Sequence, residues 1–372
     1  MIYLDNAAME KPLDCVINAV VDAMRNNWMN PNGAYERAQS VRSLIEDSKK
    51  HVASLINADP SEIHFTSGAT ESANILMSSF MANDDDVYIT DIEHPAVENA
   101  VNGYIGILPV DKYGSIYPSE LPFVSEFDRK TVLFVIAANN EIGTIQPLKY
   151  IGNMCRNRDF YFATDLTQAF GHIPIDVKDM KIDFAFGSGQ KIGGLSGCGF
   201  LYVRKDLEDR ILPLCVGGLQ DKYKGGTENI TGIVALGEAS LVAKEILPLN
   251  ETVRQLRDYM IDRILKEVPD TILIGHPTER LPNNVNIGFG GLDSEAIVQY
   301  LDLNDICVSA GSACHSKSVE PSHVLKALRL PNRYINGSVR FTLSFANTKE
   351  EIDEVVETLK KCCTSMRSDK EI

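Results

Sequence analysis

A lysine enclosed by small residues is the first group in this chain that calls for a chemical explanation. Lys191 lies in Phe186-Gly-Ser-Gly-Gln-Lys-Ile-Gly-Gly194, directly after an apolar segment. A lysine enclosed in this way is partly desolvated, which lowers its pKa and favours imine formation with a carbonyl. Surface lysines are far commoner, but few have neighbours like Gly187, Gly189, Gly193 and Gly194. A second group is Phe65-Thr-Ser-Gly-Ala-Thr-Glu71, between a strand-like and a helix-like segment. N–H groups at a helix start bind anions and the hydroxyls add donors, so the stretch reads as a phosphate cradle. The same spacing also serves as an ordinary N-cap, and it is neither Gly-x-Gly-x-x-Gly nor a Walker loop. Ser188 could supply a further phosphate donor. Asp165, in Ala163-Thr-Asp165, ends another apolar run. A carboxylate at the carboxyl end of a parallel strand points into the crevice where such folds bind ligands. Pyridoxal phosphate needs an acid at such a place to keep its ring nitrogen protonated and electron-withdrawing. Taken alone, Asp165 is better read as a helix cap. Gln168 could donate to the cofactor's phenolic oxygen. His94, in Glu93-His-Pro95, could stack on a planar ring or shuttle a proton, and reads equally well as a capping or core histidine.

The chain has eight cysteines. None shows Cys-x-x-Cys spacing, and no Cys/His cluster resembles a metal site, so no metal is expected. In a reducing compartment they are expected to be free thiols, most of them small core residues. Cys314 differs. It lies in Gly311-Ser-Ala-Cys-His-Ser-Lys-Ser318, which is too polar for a core and carries His315 and Lys317. A partly basic surrounding suits a thiolate.

These groups need a frame. Short segments rich in Val, Ile, Phe and Tyr predict buried strands at 62–66, 87–90, 132–137, 160–164, 184–187 and 200–203. Helical patterns at 39–55, 69–80, 95–102 and 148–156 separate several of them, which argues for a mostly parallel α/β sheet covered by helices. A helix over 233–246 meets Pro248, and another runs to 268. Beyond it, strand-like segments near 272, 285, 306 and 339 mix with helices at 294–301, 322–328 and 350–359. A chain of 372 residues exceeds what one core usually serves. We therefore expect a large domain over 13–248 and a small α+β domain made of 1–12 and 249–372, the latter carrying the Cys314 loop.

Composition narrows the function classes. The hydrophobic and charged fractions, 44% and 23%, are those of an ordinary globular enzyme. A formal net charge of −15 repels phosphate backbones and anionic lipid, so neither nucleic acid nor membrane is an expected partner. The longest apolar run, 132–138, is too short to span a bilayer. The Met-Ile-Tyr-Leu-Asp start lacks the features of a signal peptide, and a cytoplasmic location is expected.

In order along the chain stand the phosphate loop, Glu-His-Pro, Asn140-Glu-Ile-Gly, Asp-x-x-Gln, Ser-x-x-Lys and Gly226-Thr-Glu-Asn. This series resembles the class V aminotransferase-like enzymes and, within them, the cysteine desulfurases. The resemblance runs from Leu4-Asp-Asn-Ala-Ala to Arg340-Phe-Thr-Leu-Ser, nearly the whole chain. Its sharpest motif is Ser309-Ala-Gly-Ser-Ala-Cys314 followed by Glu320-Pro-Ser-His-Val-Leu325, which looks like the long-loop branch. The resemblance implies an aspartate-aminotransferase-like fold and pyridoxal 5'-phosphate as cofactor. It implies that Lys191 binds the cofactor and moves the substrate's Cα proton, that Asp165 pairs with the ring nitrogen, and that Gln168 contacts the ring oxygen. His94 would stack on the ring. Asn140 would lie beside cofactor and substrate. Ala69, Thr70, Ser188 and Gln190 would hold the phosphate. Thr227 would reach the phosphate of the other subunit of a homodimer, and Arg340 would clamp the carboxylate of L-cysteine through a forked hydrogen bond. Cys314 would take the sulfur as a persulfide, leaving L-alanine, and deliver it to an acceptor such as an iron–sulfur scaffold or a thiolation enzyme.

Three positions depart from the family's usual pattern. Gln190 stands where His is usual, and it can donate to phosphate but carries no charge. Lys224-Gly-Gly replaces Arg-Ser-Gly before Thr227, a point charge for a forked donor. Asn30-Pro-Asn-Gly-Ala-Tyr35 replaces a stretch that usually ends in His. Two other readings share the fold: a lyase acting on selenocysteine or cysteine sulfinate, and another class V aminotransferase. The polar Cys314 loop counts against the aminotransferase, which needs no nucleophilic thiol.

Overall fold

A computed structural model of the chain describes residues 1–100, 103, 105–116, 129–218, 221–311 and 322–368. Its centre is a seven-stranded sheet in the order Ile63–Thr66, Gly199–Val203, Phe184–Ser188, Tyr161–Asp165, Thr131–Phe134, Asp86–Thr90, Gly106–Leu108. From Phe184–Ser188 to Gly106–Leu108 all pairings are parallel, while Gly199–Val203 runs antiparallel to both neighbours. Two reversals cancel, so Ile63–Thr66 points the same way as Phe184–Ser188. The chain therefore leaves the same sheet edge after Thr66, Thr90, Phe134, Asp165 and Ser188. Helices cover both faces, which is why Phe184–Ser188 and Gly199–Val203 are buried along their whole length and read as continuous apolar runs rather than alternating ones. One core packs Phe162, Phe200 and Leu236 on the side of helices Glu36–Ile56 and Ile230–Ile246. The other packs Leu76, Phe80, Phe134 and Phe184 under helix Ala69–Ala82.

A four-stranded antiparallel sheet follows in the order Ser309–Ala310, Ser338–Thr342, Asn284–Phe289, Thr271–Leu273. Val285, Ile287, Phe341, Val355 and Leu359 form a separate core with helices Asn250–Glu267, Ser294–Asp302 and Lys349–Ser368. Ile2 and Leu4 belong to this core, and strand Ile2–Tyr3 pairs in parallel with Ile306–Cys307.

The expected strands and most of the helices lie within a few residues of their expected positions. Helix Ile230–Ile246 starts earlier than expected because Asn229 caps it, its Oδ1 accepting from the Gly232 N–H at 3.2 Å. Pro248 makes a single 3₁₀ turn, Leu247–Leu249, between two helices. The helix opened by Pro95 ends at Glu98, and residues 101 and 102 lie outside the described set. Helix Asp14–Asn26 was not expected. Ile17, Val21 and Met24 are exposed while Val16 and Ala23 are buried, so apolar residues lie on both faces and blur the period. Strand Gly106–Leu108 is an edge strand too short to announce itself. Among the described residues, no helix is long and apolar enough to cross a membrane.

Candidate active site

The common sheet edge opens onto a cavity of about 350 Å³. It is lined by Ala69, Thr70, His94, Asn140, Asp165, Gln168, Ser188, Gln190, Lys191 and Arg340, all of them positions singled out from the sequence. Thr227 lines a neighbouring cavity of about 290 Å³, which shares Ser67 and Gly197 with the first. Cys314 lies outside the described residues.

The anion end is the start of helix Ala69–Ala82. Its N-cap is Gly68, at φ 150°, where a side chain would be strained and where no side chain caps the helix. The first N–H groups are thus left for a ligand. Gly199 brings its strand so close that a Cβ there would meet the Gly68 Cα at 2.7 Å. Ser188 lies beside Gly68, where a Cβ would stand 3.8 Å from its hydroxyl, which donates to Gln190 Oε1 at 2.8 Å. Lys224 reaches in from the second cavity and pairs with Glu71 at 2.7 Å, so its charge is engaged by a carboxylate in the helix's first turn.

Asp165 ends its strand buried, with Oδ1 accepting from the Thr167 N–H at 2.7 Å. Burial pushes its carboxyl above the ordinary range, against the hydrogen bonds from Thr167 and the nearby His94 and Lys191. A cationic ring N–H placed against this oxygen would restore the ionised form. His94 is both a cap and a cavity residue. Its Nδ1 accepts from the Ala96 N–H at 3.1 Å, so the neutral ring carries its proton on Nε2. Lys191 closes a 3₁₀ turn, Gly189–Lys191, and its Nζ donates to the Ala8 carbonyl at 2.7 Å. The turn folds tightly because Gly194 donates its N–H to the Gly189 carbonyl at 2.8 Å, an approach that a Cβ on Gly194 would crowd.

Arg340 comes from strand Ser338–Thr342 of the smaller sheet and is 2% exposed. Its Nη1 donates to the Asn140 carbonyl at 2.9 Å and its Nη2 to Asp5 Oδ1 at 2.8 Å. Asn140 is held by an Asx turn in which Asn139 Oδ1 accepts from the N–H groups of Glu141 and Ile142, and Asn139 Nδ2 donates to the Ile92 carbonyl.

Sequence reasoning missed two parts of this site. One is the chain start: Ala7 offers its carbonyl to Gln168 Nε2 at 2.9 Å and Ala8 to Lys191, while Asp5 holds Arg340. The only sequence signal was the lone acid before the small residues of Leu4-Asp-Asn-Ala-Ala. The other is Glu93, fully buried beside His94. Its Oε1 accepts from Thr90 Oγ1 at 2.6 Å and from the Ile136 N–H at 2.7 Å. Burial, helped by the charge of Asp165, pushes this carboxyl up to about 8. Among the other cysteines, Cys155 and Cys198 are core residues whose thiols burial pushes up to about 12, which keeps them un-ionised.

A lysine and a carboxylate facing one cavity, with a helix start at one end and an arginine at the other, define a site for a phosphorylated, carbonyl-bearing cofactor and an amino-acid substrate. The model of the aminotransferase class-V family matches residues 2–355. The chain belongs to this family and, within it, to the cysteine desulfurases. It is 41% identical to cysteine desulfurase IscS of Methanosarcina thermophila over 99% of this chain and 93% of that protein. Its structure is similar to that of a NifS-like protein from Rickettsia africae, with a TM-score of 0.89 and 30% identity over 97% of this chain and 99% of that one. It is also similar to SspA solved in complex with cysteine, with a TM-score of 0.79 and 29% identity over 92% of this chain and 99% of that one. The family's cofactor is pyridoxal phosphate, and the residues present fit it. An uncapped helix start suits the phosphate, the buried carboxyl of Asp165 suits a protonated ring nitrogen, and Lys191 lines the same cavity.

Proposed function

We propose that this enzyme takes sulfur from L-cysteine, releases L-alanine, and holds the sulfur on Cys314 as a persulfide for an acceptor protein. The observation that carries the reading is the meeting of Lys191, Asp165 and Arg340 on one cavity from three distant parts of the chain. Bound pyridoxal phosphate supplies an electron-withdrawing ring that stabilises negative charge at the substrate's Cα. Lys191 holds the cofactor and moves the Cα proton. Asp165 keeps the ring nitrogen protonated, Gln168 contacts the ring oxygen, and His94 covers the ring. Ala69, Thr70, Ser188 and Gln190 hold the phosphate, while Asn140 and Arg340 orient the substrate. The Cys314 thiolate attacks the substrate sulfur. The electron pair of the broken C–S bond stays with carbon, and protonation there yields alanine.

Further parts of the reading concern assembly and setting. Thr227 completes the phosphate site of a second copy in a homodimer; its place beside the cavity rather than in it supports this. Residues 13–248 form the cofactor domain, and 1–12 with 249–372 form the small one. The enzyme works in a reducing cytoplasm. The acceptor is an iron–sulfur scaffold or a thiolation enzyme.

Cys314→Ser tests the central step. A serine hydroxyl is essentially un-ionised near neutral pH, whereas a free thiol of pKa about 8.5 is already a few per cent thiolate. The variant is expected to retain cofactor absorbance and its response to cysteine, but alanine and persulfide formation should fall to background. Wild-type turnover in this variant would overturn the assignment of Cys314.

A further inference from the structure

The Arg340 guanidinium is held before any substrate arrives. Its Nη1 is engaged by the Asn140 carbonyl at 2.9 Å, its Nη2 by Asp5 Oδ1 at 2.8 Å, and its Nε finds no acceptor among the described residues although buried. A guanidinium offers one hydrogen on Nε and a pair on each terminal nitrogen. Each of the two contacts takes one hydrogen from a terminal nitrogen, so Nε and the second hydrogen on each terminal nitrogen remain for another acceptor. Arg340 lines the cavity, so its guanidinium stands beside the space that a ligand carboxylate would occupy.

Asp5 is itself fixed. Its carbonyl accepts the N–H groups of Ala8 at 3.0 Å and Met9 at 3.3 Å, and its backbone bridges to Thr342 on Arg340's own strand. The turn that fixes it also aims the Ala7 carbonyl at Gln168 and the Ala8 carbonyl at Lys191. The carboxylate is thus presented at a set place and angle. A surface acid paired with an arginine usually contributes little, but this arginine is only 2% exposed, and a buried guanidinium is oriented strongly by a charged acceptor.

We propose that Asp5 is a positioning residue for substrate binding: it sets the plane of the Arg340 guanidinium so that the remaining donors meet the α-carboxylate of the amino acid. Asp5 does not compete with that carboxylate. It acts through Arg340, and the inference rests on reading Arg340 as the carboxylate clamp.

The test is a double-mutant cycle in the holoenzyme. Its readouts are KM and kcat for cysteine and calorimetric binding of L-alanine, which bears the carboxylate without the sulfur. Asp5→Ala is expected to raise KM and to weaken alanine binding by about tenfold, with kcat within about threefold of wild type. Asp5→Asn keeps an oxygen acceptor and loses only the charge, so it should recover most of this, to within about threefold. On an Arg340→Ala background, Asp5→Ala should add less than about twofold, because the group it positions is gone. If the alanine variant does not fold, the asparagine variant carries the test: weaker alanine binding in the wild-type background, and no further loss with Arg340→Ala. Losses that multiply in the double variant would overturn the proposal, as would unchanged or tighter alanine binding in Asp5→Ala or, where that variant does not fold, in Asp5→Asn. Should Arg340→Ala itself bind alanine like wild type, the clamp reading fails, a result distinct from failure of Asp5 alone.

Discussion

At the phosphate end of the cavity, each side chain and N–H group stands within a few residues of a strand end on one sheet edge: Ala69 and Thr70 after Thr66, Ser188 and Gln190 at the end of Phe184–Ser188. At the Arg340 end, the groups come from residues 5–8, from the turn at 139–142 and from the smaller sheet, and much of what they offer is backbone carbonyl. The first arrangement is a product of sheet topology. Parallel strands present their carboxyl ends together, so any small or hydroxyl residue placed just after them joins the site. The second depends on docking distant segments against each other. It therefore responds to changes that alter neither the sheet nor the cofactor, and the two ends should separate under mutation: cofactor retention at one, substrate affinity at the other.

The largest expected effect lies at the cofactor end. Lys191→Ala should abolish turnover and the visible absorbance of attached cofactor, since among the described residues lining the cavity no other offers an amine. An unchanged absorbance would mean that another lysine holds the cofactor, and the comparison would lose its first half.

A smaller and different effect is expected at the other end. Arg340→Ala should leave cofactor absorbance intact and raise KM for cysteine. Loss of a charged hydrogen-bonded clamp typically costs about 1.5–3 kcal/mol, or roughly ten- to 150-fold. Arg340→Lys should recover little, because an ammonium cannot serve Asp5, the Asn140 carbonyl and a substrate carboxylate in one plane. Steady-state kinetics beside absorbance would separate the ends; loss of cofactor in Arg340→Ala would join them.

The same division explains what the sequence made legible. Lys191, Asp165 and the Ser67–Thr70 stretch carry local signals: glycines around an amine, an acid closing an apolar run, hydroxyls before a helix. Each was readable because a strand or a helix start lay next to it. The sheet followed from the apolar runs, since strands buried on both faces keep no polar side. Asp5, Ala7 and Ala8 carry no such signal. A carbonyl that accepts from Lys191 or Gln168 is common to all residue types, and its role depends on where the chain start docks, through Ile2–Tyr3 beside Ile306–Cys307. Glu93 was overlooked for another reason. It stood out only as the residue before His94, and only the packed structure shows its side chain turned inward under Ile136.

Glu93 belongs to neither end, and the effect expected from it is the smallest. Its carboxyl lies at the sheet edge near Asp165, and its carbonyl bonds His323 Nε2 at 2.9 Å. An ordinary glutamate titrates near 4.5; burial, with the charge of Asp165, brings this one to about 8. Between those values the folded protein keeps a proton that the unfolded chain has released. Stability must therefore fall as pH rises through that window, and the penalty is complete above the folded value. At neutral pH the neutral acid spares Asp165 a second buried charge. Glu93→Gln keeps the shape and the acceptor oxygen for Thr90 and Ile136 but cannot ionise. Thermal melts of the holoenzyme across the window should show the variant matching wild type at the acidic end and melting at increasingly higher temperature than wild type toward the alkaline end. Cofactor absorbance in wild type should weaken at alkaline pH more than in the variant, because only wild type then places a second carboxylate beside Asp165. Parallel melting profiles would mean that Glu93 does not gain its charge in this window, and the alkaline behaviour of the site would have to come from another group.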